Sequence, residues 1–210
     1  AVGKSLAQAA APQLKRVSME LGGHAPFIVF DDADPIHAAK GVSLVKFLNT
    51  GQACISPNRI FVQRKILDSF LDTLQVRIEK LRAGDGLEPS TTIGPLINHA
   101  AIEKIDRQVQ DAVSQGANLH SGGRRLTEDG LENGCFYAPT LLSDVTSEML
   151  IYREETFGPV AAVIPFDEED DVIAMANDTD YGLAAYVYTQ NLSRALRTFE
   201  DLNFGIIGIN

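Results

Sequence analysis

The chain has 210 residues, 45% of them hydrophobic, enough to bury a sizeable core as one domain with a fragment of a second. Eighteen Lys and Arg against 28 Asp and Glu leave a formal net charge of -10, which disfavours nucleic acid or an anionic membrane as partner, since both require clustered basic side chains. No apolar run reaches the roughly 20 residues of a membrane helix, the start carries no signal-peptide pattern, and two cysteines are too few for a disulfide framework, so the expectation is a reduced, cytoplasmic protein.

In chain order, residues 2–12 are rich in Ala, Leu and Gln and predict a helix. Residues 17–20 look strand-like until Gly22-Gly23 breaks them, and the nearly continuous apolar run at 25–30 (APFIVF) predicts a buried strand. Asp34-Pro35 is a good helix opening, an N-cap followed by a proline in the first turn, and apolar spacing sustains that helix to Asn49. A strand at 58–63, an amphipathic helix at 66–81 and a turn-rich loop at 84–95 follow. Residues 98–115 predict a helix stopped by Gly116, and strand-like stretches lie at 117–120 and 137–142. The chain then alternates strand 160–165, helix 168–177, strand 184–189, helix 192–202 and strand 204–210. This alternation predicts an α/β fold with a largely parallel open sheet flanked by helices. The acidic run at 167–171 suits an exposed first helical turn, where carboxylates meet the positive end of the dipole. The final apolar segment stops with the chain and the chain begins without Met, which reads as a piece cut at both ends.

No glycine-rich dinucleotide fingerprint or P-loop is present, and His24, His37, His99 and His120 lack metal-ligand spacing, so no metal is expected. Three segments could carry chemistry. Cys54 stands in Asn49-Thr50-Gly51-Gln52-Ala53-Cys54-Ile55-Ser56-Pro57, where a helix gives way to a glycine-containing turn and then a strand. A thiol there can face a cleft, with backbone N–H groups free to meet developing negative charge, although an isolated cysteine is more often a small buried hydrophobe, as Cys135 is read. Glu20, in Met19-Glu20-Leu21-Gly22-Gly23, is a carboxylate at a strand end beside two glycines, a place for a general base or simply an exposed acid. Glu154-Glu155-Thr156-Phe157-Gly158-Pro159 could hold a polar ligand against a ring, or be an ordinary loop.

Together, the 19–23, 51–54 and 155–159 segments resemble the aldehyde dehydrogenase superfamily in order and spacing. Thr92-Ile93-Gly94-Pro95-Leu96, Tyr181-Gly182-Leu183 and Gly205-Ile206-Ile207-Gly208-Ile209-Asn210 extend the resemblance over the whole chain. The run from Gly22 to Asp34 is similar to the succinate-semialdehyde dehydrogenase branch. The resemblance implies an aldehyde dehydrogenase-like catalytic domain over residues 22–210, with its C-terminal end absent, preceded at 1–21 by the tail of a cofactor-binding domain. It implies NAD(P)-dependent oxidation of an aldehyde, succinate semialdehyde being a candidate, to the acid through a thioester on Cys54, with Glu20 activating the hydrolytic water.

Glu155 is then expected on the nicotinamide ribose, Phe157 beside the nicotinamide ring, and the backbone of Leu21 near the same end, with NAD or NADP as cofactor. Leu48, Ala53 and Ile55 are expected at the substrate. The resemblance also implies a homo-oligomer in the full-length protein and little or no activity for the 210-residue piece alone. Two departures stand out. The branch usually carries Arg six residues before the nucleophile, where this chain has Leu48, and a second Cys two residues after it, where this chain has Ser56. A leucine cannot make the bidentate carboxylate contact of a guanidinium. The alternatives are a non-catalytic structural or binding protein that reuses the fold, and a coenzyme-A-acylating dehydrogenase, against which Glu20 argues.

Overall fold

The computed structural model describes residues 2–210. It contains helices α1 (Val2–Ala10), α2 (Pro35–Lys46), α3 (Leu67–Ile78), α4 (His99–Ser114), α5 (Leu150–Arg153), α6 (Glu169–Asn177) and α7 (Leu192–Asp201). Strands β1 (Ala25–Val29), β2 (Pro57–Gln63), β3 (Asn118–Ser121), β4 (Thr140–Ser143), β5 (Val160–Phe166), β6 (Ala184–Tyr188) and β7 (Ile206–Ile209) form one sheet in the order β3-β4-β5-β2-β1-β6-β7. Every pairing is parallel except that of β3 with β4 at one edge.

The central strands β1, β2, β4 and β5 are buried on both faces, which is why they read as continuous apolar runs. Successive side chains alternate between the faces. Phe27, Val29, Ile60, Val62 and Val163 meet α2 and α3 through Ala38, Val42, Phe70, Leu74 and Ile78. Ile28, Phe30, Phe61, Ala162 and Ile164 meet α4 and α6 on the other face through Ile105, Val109, Val172 and Ala176. Asp34 caps α2 as its sequence suggests, its Oδ1 accepting the Ile36 N–H at 2.9 Å.

The expected α/β architecture is therefore present, with three local differences. Residues 17–20 form no strand: they join none of the strands of the sheet. Residues 137–142 form a strand only from Thr140, Tyr137 making an isolated bridge to Arg125. The one-turn helix α5 is too short for its apolar spacing to show in the sequence.

One charged residue is built into the core. Arg59, on β2, is fully buried. Its guanidinium donates to the carbonyls of His24 at 3.1 Å, Met175 at 2.9 Å and Ala176 at 2.9 Å, while the rings of Phe61 and Tyr152 lie 5.6 Å from it. Two of those carbonyls belong to the last turn of α6, where helical carbonyls lack partners within the helix and a cation is favoured. Burial draws the Arg59 pKa down to about 10, which still leaves it charged at neutral pH. Arg59→Met should remove a donor from three carbonyls, of which that of Met175 keeps the Tyr152 hydroxyl at 3.2 Å, and cost about 3 kcal/mol or more, read as a lowered urea midpoint with an unchanged slope.

Candidate active site

The segment carrying Cys54 is bent into place by three consecutive left-handed residues. After α2 the chain passes through Asn49 (φ 48°), Thr50 (φ 60°) and Gly51 (φ 76°). A β-branched residue in that region is strained, and such a conformation persists only where its surroundings over-determine it. They do so here. Thr50 Oγ1 accepts the Gly94 N–H at 3.1 Å and lies 3.2 Å from the Gly94 carbonyl oxygen. Gln52 Oε1 accepts the Ile97 N–H at 2.9 Å, and its amide donates to the Pro95 carbonyl at 3.2 Å. Gly51 lies against the Gly158 carbonyl with no room for a side chain.

The chain then makes a turn closed by the Ser56 N–H donating to the Ala53 carbonyl at 3.0 Å, with Cys54 and Ile55 at its centre. The Tyr186 hydroxyl donates to the Ile55 carbonyl at 2.9 Å. Burial, and then the neighbouring Cys54, raise the Tyr186 pKa, so this phenol stays protonated as a donor.

Against this turn runs the glycine segment. A Cβ at Gly23 would overlap the carbonyl oxygen of Cys54, so only glycine lets the two backbones approach this closely. The Gly23 N–H donates to the Glu155 carboxylate at 2.8 Å, and its carbonyl accepts from the Asn58 amide at 3.3 Å. Gly23, Cys54, Glu155 and Tyr181 all belong to connections that enter parallel strands, namely β1, β2, β5 and β6. Those four strands are neighbours in the order β5-β2-β1-β6, and this adjacency brings the separate sequence segments together. The site therefore sits at the amino ends of the strands, opposite to the carboxyl-end placement usual for open α/β sheets. Glu20 likewise stands on the approach to β1; the strand it was expected to end does not form.

Two buried bases lie beneath the site. His24 is fully buried, its Nε2 lying 2.7 Å from the Tyr152 carbonyl. Burial first, then Arg59, push its pKa down to about 3, so it is neutral at physiological pH. Lys46, the last residue of α2, is also fully buried and donates to Ser56 Oγ at 3.2 Å and Asn58 Oδ1 at 2.8 Å. Its burial lowers the amine to about 7, against the opposing pull of Glu155.

Cys54, Ile55, Glu20, Leu21 and Glu155 line one open cleft of about 1710 Å³, together with Tyr181, Lys104 and the α1 residues Gly3 and Lys4. Cys54 is partly exposed, and Glu20 and Leu21 are exposed. Leu48, Ala53 and Phe157 are not walls of that cleft. Leu48 is exposed in the left-handed bend, Ala53 is half-buried beside Cys54, and Phe157, itself left-handed at φ 54°, is exposed beyond Glu155. Lys46 and Lys104 escape sequence reading, since a lysine on an amphipathic helix gives no sign of pointing inward. Cys135 packs against the core, and its backbone carbonyl accepts the Leu96 N–H at 2.7 Å. Among the described residues no group of acids, histidines and cysteines could hold a metal ion. No helix there is long and apolar enough to cross a membrane.

Gly23→Ala should force the Cys54 turn outward and destabilise the fold by about 1–3 kcal/mol in chemical denaturation. Gly86→Ala, where a Cβ meets nothing within 4 Å, should leave the midpoint unmoved in the same experiment.

The pattern of the aldehyde dehydrogenase family matches residues 1–210. A mitochondrial succinate-semialdehyde dehydrogenase of Arabidopsis thaliana is 50% identical over 210 residues, all of this chain and 39% of that protein. The NADP(+) succinate-semialdehyde dehydrogenase of Escherichia coli is 47% identical over 209 residues, which cover 42% of its length. A crystal structure of succinate-semialdehyde dehydrogenase from Burkholderia pseudomallei superposes with a TM-score of 0.94 at 43% identity, covering 99% of this chain and 42% of that one. The chain thus spans about two fifths of the length of these relatives. The match over every residue, at an identity that leaves the fold in no doubt, makes this chain a member of the aldehyde dehydrogenase family.

Proposed function

We propose that the protein carrying this chain oxidises an aldehyde to its carboxylic acid with NAD or NADP, using Cys54 as nucleophile and Glu20 as general base. The observation that carries this reading is the meeting of the Cys54 turn, the Glu20–Gly23 segment and Glu155 at one cleft, from connections that are distant in sequence.

The cleft suits a nicotinamide dinucleotide on chemical grounds. It exceeds the usual volume of a small-molecule pocket, and the Glu155 carboxylate on its wall retains acceptor capacity beyond its bond to the Gly23 N–H. Glu155 would accept from the ribose hydroxyls, Leu21 would contribute backbone near the nicotinamide end, and Phe157 would close beside the ring. When bound, the dinucleotide supplies a hydride acceptor.

Cys54 would attack the aldehyde carbon, and its own backbone N–H would face the oxyanion that develops. After hydride loss the acyl group remains on Cys54 as a thioester. Glu20 would take a proton from water as that water attacks the thioester, which releases the acid and restores the thiol. A protein that transfers the acyl group to coenzyme A has no use for this base. We place Leu48, Ala53 and Ile55 at the substrate end; Ile55 lines the cleft, and Leu48 and Ala53 flank it outside its wall. Their apolar character suits an aldehyde with a hydrophobic body, and the missing guanidinium at Leu48 weakens the grip on a terminal carboxylate. The two free thiols suit a reducing compartment such as the cytoplasm, and the family resemblance favours a homo-oligomer.

The test is NAD- and NADP-dependent oxidation of succinate semialdehyde and aliphatic aldehydes by the full-length protein. Cys54→Ala should abolish turnover. Glu20→Gln should retain a first-turnover burst of reduced cofactor and lose roughly 10²–10⁴ in steady-state rate. Aldehyde oxidation by Cys54→Ala at the wild-type rate, or strict dependence on coenzyme A, would overturn the reading. In the same assay Leu48→Arg should raise kcat/KM for succinate semialdehyde relative to an aliphatic aldehyde by roughly tenfold or more.

A further inference from the structure

Lys46 is a costly side chain to bury beside the site, and the mechanism above makes no use of it. It is fully buried, and among the described residues no carboxylate lies within ion-pair distance of its amine. Taking an ammonium out of water without an ionic partner costs several kcal/mol, which an apolar side chain of similar length would not. The amine reaches only two acceptors, and both belong to the scaffold of the site. Ser56 closes the turn that presents Cys54, and Asn58 carries the contact onward to the Gly23 carbonyl. The amine thus joins the end of α2, the Cys54 turn and the glycine segment that follows Glu20.

We propose that Lys46 is a positioning residue for Cys54, its buried amine bracing the turn against the glycine segment so that the sulfur is held in its reactive setting. The proposal rests on the reading of Cys54 as nucleophile and extends it to a residue that touches neither substrate nor cofactor.

The brace depends on charge. A protonated amine makes shorter and stronger hydrogen bonds to Ser56 and Asn58 than a neutral one. The titratable groups that feel it are Glu155 on the connection to β5 and His24 at the entry to β1. His24 is neutral across the physiological range, and Glu155 supports the charged amine. With the amine at about 7, the charged brace is present below neutrality and weakens as pH rises through it.

Alkylation by iodoacetamide reads the setting of the sulfur without cofactor or substrate, and Cys135 serves as a reference in the same molecule. The rates at both cysteines would be followed by peptide mass spectrometry on the intact protein, from mildly acidic to mildly alkaline pH. Lys46→Met should slow Cys54 roughly tenfold at neutral pH while Cys135 stays within about twofold. Lys46→Gln, which keeps a donor but cannot titrate, should be intermediate and lack the wild-type inflection near neutrality. If the Met variant does not fold, Ser56→Ala removes one acceptor, leaves the amine in place and should slow Cys54 alone.

Unchanged Cys54 rates in the variants, equal changes at both thiols, or acceleration of Cys54 alone would each overturn the proposal. Aldehyde activity surviving in Cys54→Ala would instead remove the functional reading on which it rests, so the two failures are told apart.

Discussion

The backbone of Gly23 lies so close to the carbonyl oxygen of Cys54 that no side chain can come between them, and much of the site is arranged around that approach. Once the two strands of chain touch, the Gly23 N–H faces Glu155 and its carbonyl faces Asn58. Both backbone polar groups of one residue are thereby satisfied by side chains from elsewhere, in a region where an unpaired one would be expensive. The Cys54 turn cannot relax towards the glycines, and it cannot retreat either, because Thr50 and Gln52 fasten its other side to residues 94–97. Rigid support of this kind is what a nucleophile needs, since small misplacements of a reacting atom are costly.

The two cations buried near the site show how different partners decide different uses. Arg59 spreads its charge over several carbonyls and two aromatic faces, and it remains ionised. Its fork geometry makes it a rivet between the start of β1 and the end of α6. Lys46 has a hydroxyl and an amide to rest on, and its amine is drawn close to neutrality. The first arrangement serves permanence. The second leaves a group whose protonation the cell's own pH can change.

Much of the fold was legible in the sequence because its central strands are buried on both faces, and APFIVF or VAAVIPF can be little else. Residues 17–20 misled for a physical reason: four residues with apolar character form a strand only where a neighbour offers backbone hydrogen bonds, and none among the described residues does. Cys54, Glu20 and Glu155 were legible only in combination, since each alone is an ordinary residue in a plausible turn or strand end. Their meeting depends on the order of four parallel strands, which no local pattern encodes. Phe157 and Leu48 were placed by resemblance, and they stand outside the cleft that gathers the others. The inward turn of Lys46 was invisible, because helical spacing allows a lysine stem to run either along the surface or beneath it.

The placement of β1 between β2 and β6 also has a temporal side. Phe27 pairs with Tyr186, and Gly23 meets Glu155 across 132 positions of the chain. Contacts of such sequence separation require large loops to close before they return any stabilisation. The β1–β2 pair, linked by α2, can assemble early from local contacts, while the wall formed by Glu155 and Tyr181 must wait for the last third of the chain. During synthesis the thiol of Cys54 therefore leaves the ribosome well before the carboxylate and phenol that will enclose it, and the site is among the last parts of the domain to mature.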